Sequence, residues 1–205
     1  MTVTQVQPRL KSARGLRIAE TNPPIDLGAA ELAVRALLVA LGQDPDSEHL
    51  RETPRRVASA YAELLTPQPF DLTTFANDEG YEELVVARDI PFQSLCEHHM
   101  LPFHGVAHVG YLPDQRIVGL SKLARIVDRF ARGLQVQERL TKQVADWLDS
   151  NLHPKGVGVV IEAEHQCMTL RGVRAHESRT ITSALQGHLR HDAAARLEFF
   201  ALTSR

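Results

Sequence analysis

His104-Gly105-Val106-Ala107-His108-Val109-Gly110-Tyr111-Leu112 is the stretch that decides the fold class. It is rich in valine and closed by Pro113, so it reads as a β-strand. Upstream, Glu83–Ile90 has the same character and is bounded by Pro91. Downstream the apolar period changes from two to 3.6. Ser121–Arg132 places Leu123, Ile126, Val127 and Phe130 on one side and Lys122, Arg125, Arg129 and Arg132 on the other, which predicts an amphipathic helix. A further helix is predicted from about Val136 to Asn151, with Leu140, Val144, Trp147 and Leu148 inward. Gly156–Ala163 and Gln166–Val173 read as two more strands. Strands in hairpin-like pairs with helices between them predict an α+β fold with an antiparallel sheet.

The N-terminal part has a different pattern. Leu27–Leu41 is an Ala/Leu-rich helix stopped by Gly42. Thr53-Pro54 starts another, with Thr as N-cap and Pro at the first position. Val57, Tyr61, Leu64 and Leu65 form its stripe, and Pro67 ends it. Residues 1–26 are polar, contain Pro8, Pro23 and Pro24 and lack a period, so a mobile tail is expected there. The expected organisation is therefore a tail over 1–26, a helical region over 27–80 and the sheet-bearing domain over 81–205. The segment from Asp192 reads as a short helix, with a strand over Glu198–Leu202 left open.

Composition excludes several classes of function. The net charge is −2, so no global basic field points to nucleic acid. The longest apolar runs, such as Leu37–Leu41 and Val157–Ile161, are far too short to cross a membrane. The N-terminus carries Arg9, Lys11, Arg14 and Arg17 without the apolar core of a signal peptide, so a cytoplasmic protein is expected.

The chemistry concentrates where the cysteines are. The chain has two, and each lies beside histidine: Cys96-Glu97-His98-His99 and His165-Gln166-Cys167. One helical turn would bring Cys96 and His99 to the same side, and one strand face would carry His165 and Cys167 together. Joined, the segments offer two thiolates and an imidazole, a three-ligand zinc set with a fourth position for water. A disulfide, or two inert buried thiols, are the alternatives. His98 and His165 are spare imidazoles able to move protons near neutral pH.

Two other groups suit an anionic, guanine-bearing ligand. Ser121 can cap its helix, and Lys122 and Arg125 stand one turn apart at the same end, suited to a phosphate chain. Arg171 lies four residues past Cys167, on the same face if the segment is a strand. Gln135-Val136-Gln137-Glu138 opens a helix, where the Glu138 carboxylate could accept hydrogen bonds from a guanine edge. A solvated basic face and an ordinary first-turn glutamate are the plainer explanations.

Taken together, the chain resembles the GTP cyclohydrolase I family over roughly residues 30–200. The matching stretches are Glu52-Thr53-Pro54 with Arg56-Val57-Ala58, Cys96-Glu97-His98-His99, Pro102-Phe103-His104-Gly105 and Gly119-Leu120-Ser121-Lys122. They continue with Gln135-Val136-Gln137-Glu138-Arg139-Leu140-Thr141, Glu164-His165-Gln166-Cys167 and Arg171-Gly172-Val173. The resemblance implies the tunnelling fold (T-fold): a four-stranded antiparallel sheet with two helices, preceded by N-terminal helices. It implies a homodecamer of two stacked pentameric rings, with active sites between subunits. One zinc ion per subunit would be held by Cys96, His99 and Cys167, and zinc-bound water would attack C8 of GTP. Formate would leave, and an Amadori rearrangement and ring closure would give 7,8-dihydroneopterin triphosphate, a product for pterin or tetrahydrofolate biosynthesis.

The resemblance also distributes roles. His98 and His165 are proton-transfer residues. Glu138 anchors guanine with Gln137 beside it. Ser121, Lys122, Arg125 and Arg171, joined by Arg56, serve the triphosphate and ribose. The chain departs from the family pattern at Ser59, where a basic residue is usual, at Ala175-His176-Glu177-Ser178, where Lys-Pro-Gly-Ser is frequent, and at Gln186-Gly187. A non-catalytic purine- or pterin-binding paralogue that regulates a partner is the alternative reading.

Overall fold

The computed structural model describes residues 24–204, so the tail expected over 1–26 falls almost wholly outside the described residues. Helix α1 (Leu27–Ala40) starts at Asp26, whose carboxylate accepts the Ala29 N–H at 2.9 Å. Gly42, in the left-handed region at φ +75°, follows its end. Helix α2 (Thr53–Leu65) packs on α1. Its N-cap is Glu52 rather than Thr53, because the helical turn already includes Thr53 and Pro54.

The main sheet has the order β5-β2-β3-β6-β7. Four antiparallel strands make its body: β2 (Val85–Cys96), β3 (Pro102–Leu112), β6 (Gly156–His165) and β7 (Thr180–Gln186). Strand β5 (Leu134–Gln135) adds a short parallel edge against Leu95 and Cys96. A separate ladder joins β1 (Thr74–Ala76) to β4 (Arg116–Val118). Helices α3 (Leu120–Ala131) and α4 (Gln137–Leu152) lie between β4 and β6 in sequence. They bury Leu123, Ile126, Val127, Leu140, Val144 and Leu148 against Phe92, Phe103, Val109, Tyr111, Val159 and Ile161 of the sheet. The α+β tunnelling-fold architecture expected from the sequence is therefore the one observed.

Several boundaries differ for physical reasons. Strand β2 runs through Pro91 instead of ending there. It has no second neighbour at that point, since β5 pairs only with its last residues, so the missing proline N–H is tolerated. The segment Gln166–Val173 is not a strand. Helix α5 (Gln166–Thr169) takes over directly after His165, and Gly172 (φ +61°) and Arg174 (φ +49°) then hold left-handed conformations that extended backbone does not allow. The fourth antiparallel strand is β7 instead. The C-terminal segment resolves as α6 (Gly187–His191) and α7 (Ala193–Thr203), which excludes the strand over Glu198–Leu202.

Helix α7 covers the second sheet face, where Phe199 packs with Val160 and Leu189. Gly158 makes this possible. A Cβ there would come within 2.7 Å of the Phe199 ring.

Candidate metal centre and active site

The site forms where β2 and β6 end beside the start of α4. Cys96 is the last residue of β2. Its carbonyl accepts the N–H of His99 (3.3 Å) and of Met100 (2.8 Å), so residues 97–100 form a tight turn rather than a helix. Met100, at φ +54°, directs the chain back into β3. The turn is tied down from several directions. Glu97 N–H donates to Gln135 O at 3.0 Å, and Tyr61 of α2 donates its hydroxyl to Met100 O at 3.1 Å. Arg139 of α4 binds the Glu97 carboxylate and also donates to Gln135 Oε1 (2.8 Å) and Leu134 O (2.7 Å). Of these supports, Gln135 and Arg139 are legible in the sequence as residues of the Gln135–Thr141 motif, whereas Tyr61 comes from α2 and carries no such mark.

Cys167 reaches the same point from the first turn of α5, not from a strand face. The ligand atoms of Cys96, His99 and Cys167 all lie within 4.8 Å of one another. Among the described residues this is the group of three or more His, Cys, Asp or Glu placed to hold a metal ion. Cys96 Sγ is 3.8 Å from His99 Nδ1. Bonds of about 2.3 Å to sulfur and about 2.0 Å to nitrogen in a tetrahedron separate S from N by about 3.5 Å. The donors therefore already stand close to coordination distance. Both cysteines are free thiols. Burial, reinforced by the neighbouring Cys96 thiol, pushes the Cys167 thiol up, with the Arg171 guanidinium opposing.

His165 ends β6 directly opposite Phe103 of β3, and that register stacks the rings, with centroids 4.6 Å apart and planes 2° from parallel. Its Nε2 lies 2.7 Å from Gln137 Oε1. Burial lowers its pKa below the ordinary histidine value, and the nearby Glu138 carboxylate opposes that shift. His98 is exposed, with Nδ1 3.9 Å from Cys96 Sγ and Nε2 3.9 Å from Glu97 Oε1. Glu138 is exposed in the first turn of α4. These groups share a cleft of about 240 Å³ with the metal cluster.

Other expected site residues stand apart. Ser121 does not cap α3: the N-cap is Gly119, which accepts the Lys122 N–H at 2.8 Å, and Ser121 is exposed in the first turn. Neither it, Lys122 nor Arg125 lines the cleft, and Arg56, exposed on α2, does not either. Arg171 does not share a strand face with Cys167. It is exposed beyond α5, near enough for its charge to act on the thiol. Gln137 is nearly fully buried, and its amide is bonded on every side.

Fold and site define an α+β protein with a thiolate–imidazole metal-binding cleft flanked by a stacked histidine and a helix-borne glutamate. A family model described as GTP cyclohydrolase I matches residues 30–204. The chain belongs to the GTP cyclohydrolase I family, a family of enzymes. It is 52% identical over 190 residues to GTP cyclohydrolase 1 of Mycolicibacterium gilvum, covering 90% of this chain and 94% of that one. It is 57% identical over 178 residues to GTP cyclohydrolase 1 of Streptomyces avermitilis, covering 84% and 88%. A solved structure of the archaeosine synthase QueF-Like in the apo form aligns at TM-score 0.41 and 17% identity over 52% of this chain and 96% of that one, too loosely to add to the argument. Among the described residues no helix is long and apolar enough to cross a membrane.

Proposed function

We propose that this chain is a zinc-dependent GTP cyclohydrolase I that opens the imidazole ring of GTP at C8, releases formate and closes the product to 7,8-dihydroneopterin triphosphate. The observation that carries the reading is the convergence of Cys96, His99 and Cys167 in one cleft with His165 and Glu138. Two thiolates and one imidazole suit zinc better than the hard cations that prefer oxygen. Bound there, zinc supplies a Lewis acid that makes water nucleophilic near neutral pH.

The protein's own groups do the rest. The Glu138 carboxylate, at the mouth of the cleft, accepts hydrogen bonds from the guanine N1–H and N2–H₂. His165, desolvated and held flat on Phe103, takes up and returns a proton as the ring opens. His98, next to the Cys96 thiol, is a second imidazole for the later proton transfers. Ser121, Lys122, Arg125, Arg56 and Arg171 bind the ribose and triphosphate. Gln137, the expected companion of Glu138 on guanine, lines the cleft but is nearly fully buried, and its amide bonds to His165, β6 and β7.

A cleft of about 240 Å³ is small against the roughly 300–1,000 Å³ of ordinary ligand sites. Ser121, Lys122, Arg125 and Arg56 lie outside it. Both observations support a site completed by another copy of the chain, in the decamer that the family resemblance implies. Exposed Leu120, Leu170, Val173 and Ile181 are available to such contacts. Thiol ligands need a reducing compartment, which supports a cytoplasmic enzyme.

The test is to incubate zinc-loaded protein with GTP and measure formate and, after oxidation, fluorescent neopterin triphosphate. Equal yields of both are expected. Formate alone would mean that rearrangement and closure are lost. Neither product from metal-replete protein would overturn the reading in favour of a binding protein.

A further inference from the structure

Resting on that reading, we propose that Gln137 is a positioning residue that fixes His165 as the Nε2–H tautomer, so that any proton His165 accepts or returns passes through Nδ1. The hydrogens around one buried amide can all be assigned. Gln137 is only 1% exposed. Its Nε2 faces Ile161 O at 3.0 Å, Thr180 O at 2.9 Å and Thr182 Oγ1 at 3.1 Å. Carbonyl oxygens only accept, so the NH₂ end of the amide must face them. The opposite orientation would set Oε1 against Ile161 O and Thr180 O with no hydrogen between.

The neighbouring hydroxyls agree. Thr141 donates to Gln137 O at 2.7 Å, which uses its single hydrogen. Thr182 lies 2.6 Å from Thr141 Oγ1 and is therefore the donor of that pair. Its oxygen is left to accept from Gln137 Nε2. The amide orientation is fixed from three elements at once: α4, β6 and β7.

Oε1 is then the atom that meets His165 Nε2 at 2.7 Å. An amide oxygen only accepts, so Nε2 must carry the hydrogen. In a neutral imidazole the other nitrogen then holds the free lone pair. Stacking on Phe103 fixes the plane of the ring, and the amide fixes which nitrogen points into the protein. Nε2 is thereby withdrawn from chemistry. Nδ1 accepts a proton to form the imidazolium and gives the same proton back. Both amide hydrogens are taken by Ile161 O, Thr180 O and Thr182 Oγ1, and the residue is nearly fully buried, so its influence on turnover runs through the histidine.

The experiment is magic-angle-spinning NMR of the zinc-loaded full chain labelled with ¹⁵N-histidine, at about pH 8, where a free imidazole is neutral. Subtracting the spectrum of His165→Ala isolates the His165 nitrogens. A hydrogen on Nε2 and a bare Nδ1 are expected, with that pattern lost or mixed in Gln137→Met. A hydrogen on Nδ1 in the unmodified protein overturns the proposal without any Gln137 variant. So does an unchanged pattern in Gln137→Met.

Kinetics give a second arm. Gln137→Met should lower kcat for formate release by about 10²-fold, at the low end of acid–base effects, with KM for GTP little changed. Gln137→Glu keeps an oxygen facing Nε2–H and should recover part of the loss. In a His165→Ala background, Gln137→Met should cost nothing further. A raised KM with kcat retained, or losses that multiply in the double variant, would make Gln137 a direct guanine contact and overturn the proposal. Absence of formate from the unmodified enzyme would instead sink the cyclohydrolase reading, and the NMR arm would still decide the tautomer.

Discussion

Zinc binding should release about two protons per chain, and this number tests the ligand set directly. A thiol must lose its proton to become a ligand, whereas a neutral imidazole binds as it is. Cys96 and Cys167 supply two thiols and His99 one imidazole. Each proton released makes apparent affinity rise tenfold per pH unit, or 1.36 kcal/mol. Two protons make the rise about a hundredfold per unit, near 2.7 kcal/mol. The slope should persist through neutrality, because burial pushes the Cys167 thiol up and keeps it protonated without metal. Cys167→Ser should leave about one proton and a tenfold slope. The assay is isothermal titration calorimetry of metal-free protein with zinc, in two buffers of different ionisation enthalpy, repeated across pH 6–8. A slope of tenfold or less in the unmodified chain, or an unchanged slope in Cys167→Ser, would refute the assignment of both thiols.

Further predictions concern the supports of the site. Phe103 meets Phe92 edge-on at 5.9 Å and His165 face-on. Aromatic pairs are worth about 0.5–1.5 kcal/mol each, so Phe103→Leu should destabilise by about 1–3 kcal/mol in urea denaturation. A loss below about 0.5 kcal/mol would show that the stack contributes little. Glu177 sits at φ +65° in the turn closed by Ser178 N–H to Ala175 O. Glu177→Gly should stabilise by up to about 1 kcal/mol, the left-handed cost less the entropy of glycine, and a lower melting temperature would refute it. His165 has a lowered pKa, so below its ordinary value the unfolded chain binds a proton the folded chain does not. Stability should therefore fall as pH drops from about 6.5 towards the folded value, and His165→Ala should flatten that part of the profile. An equally steep loss in the variant would assign it to other groups.

Much of the fold was legible because periodicity is local. The valine-rich runs around Ala107 and Val159 and the stripe Leu123–Ile126–Val127 identify themselves within a few residues, and each is buried where its period places it. Segment 166–173 misled for the opposite reason. Met168 and Leu170 alternate as in a strand, yet α5 and the left-handed Gly172 and Arg174 take the chain out of the sheet. Strand β7 is not legible in the sequence because Thr180–Gln186 carries few of the apolar residues that mark a buried strand, and its pairing with β6 is not written in its own sequence.

The sequence by itself determined the chemical inventory: Cys96, His99 and Cys167 as soft donors, His165 as a spare imidazole, Glu138 at a helix start, and the α+β order of elements. These follow from residue type and short spacing. Only the tertiary structure decided which atoms meet. It brought Cys167 to Cys96 from a helical turn, laid His165 on Phe103 through strand register, and locked the Gln137 amide between His165, β6 and β7. Contacts between residues tens of positions apart depend on how the elements pack, and the two carbonyls that orient the buried amide, Ile161 O and Thr180 O, leave no mark in side-chain identity.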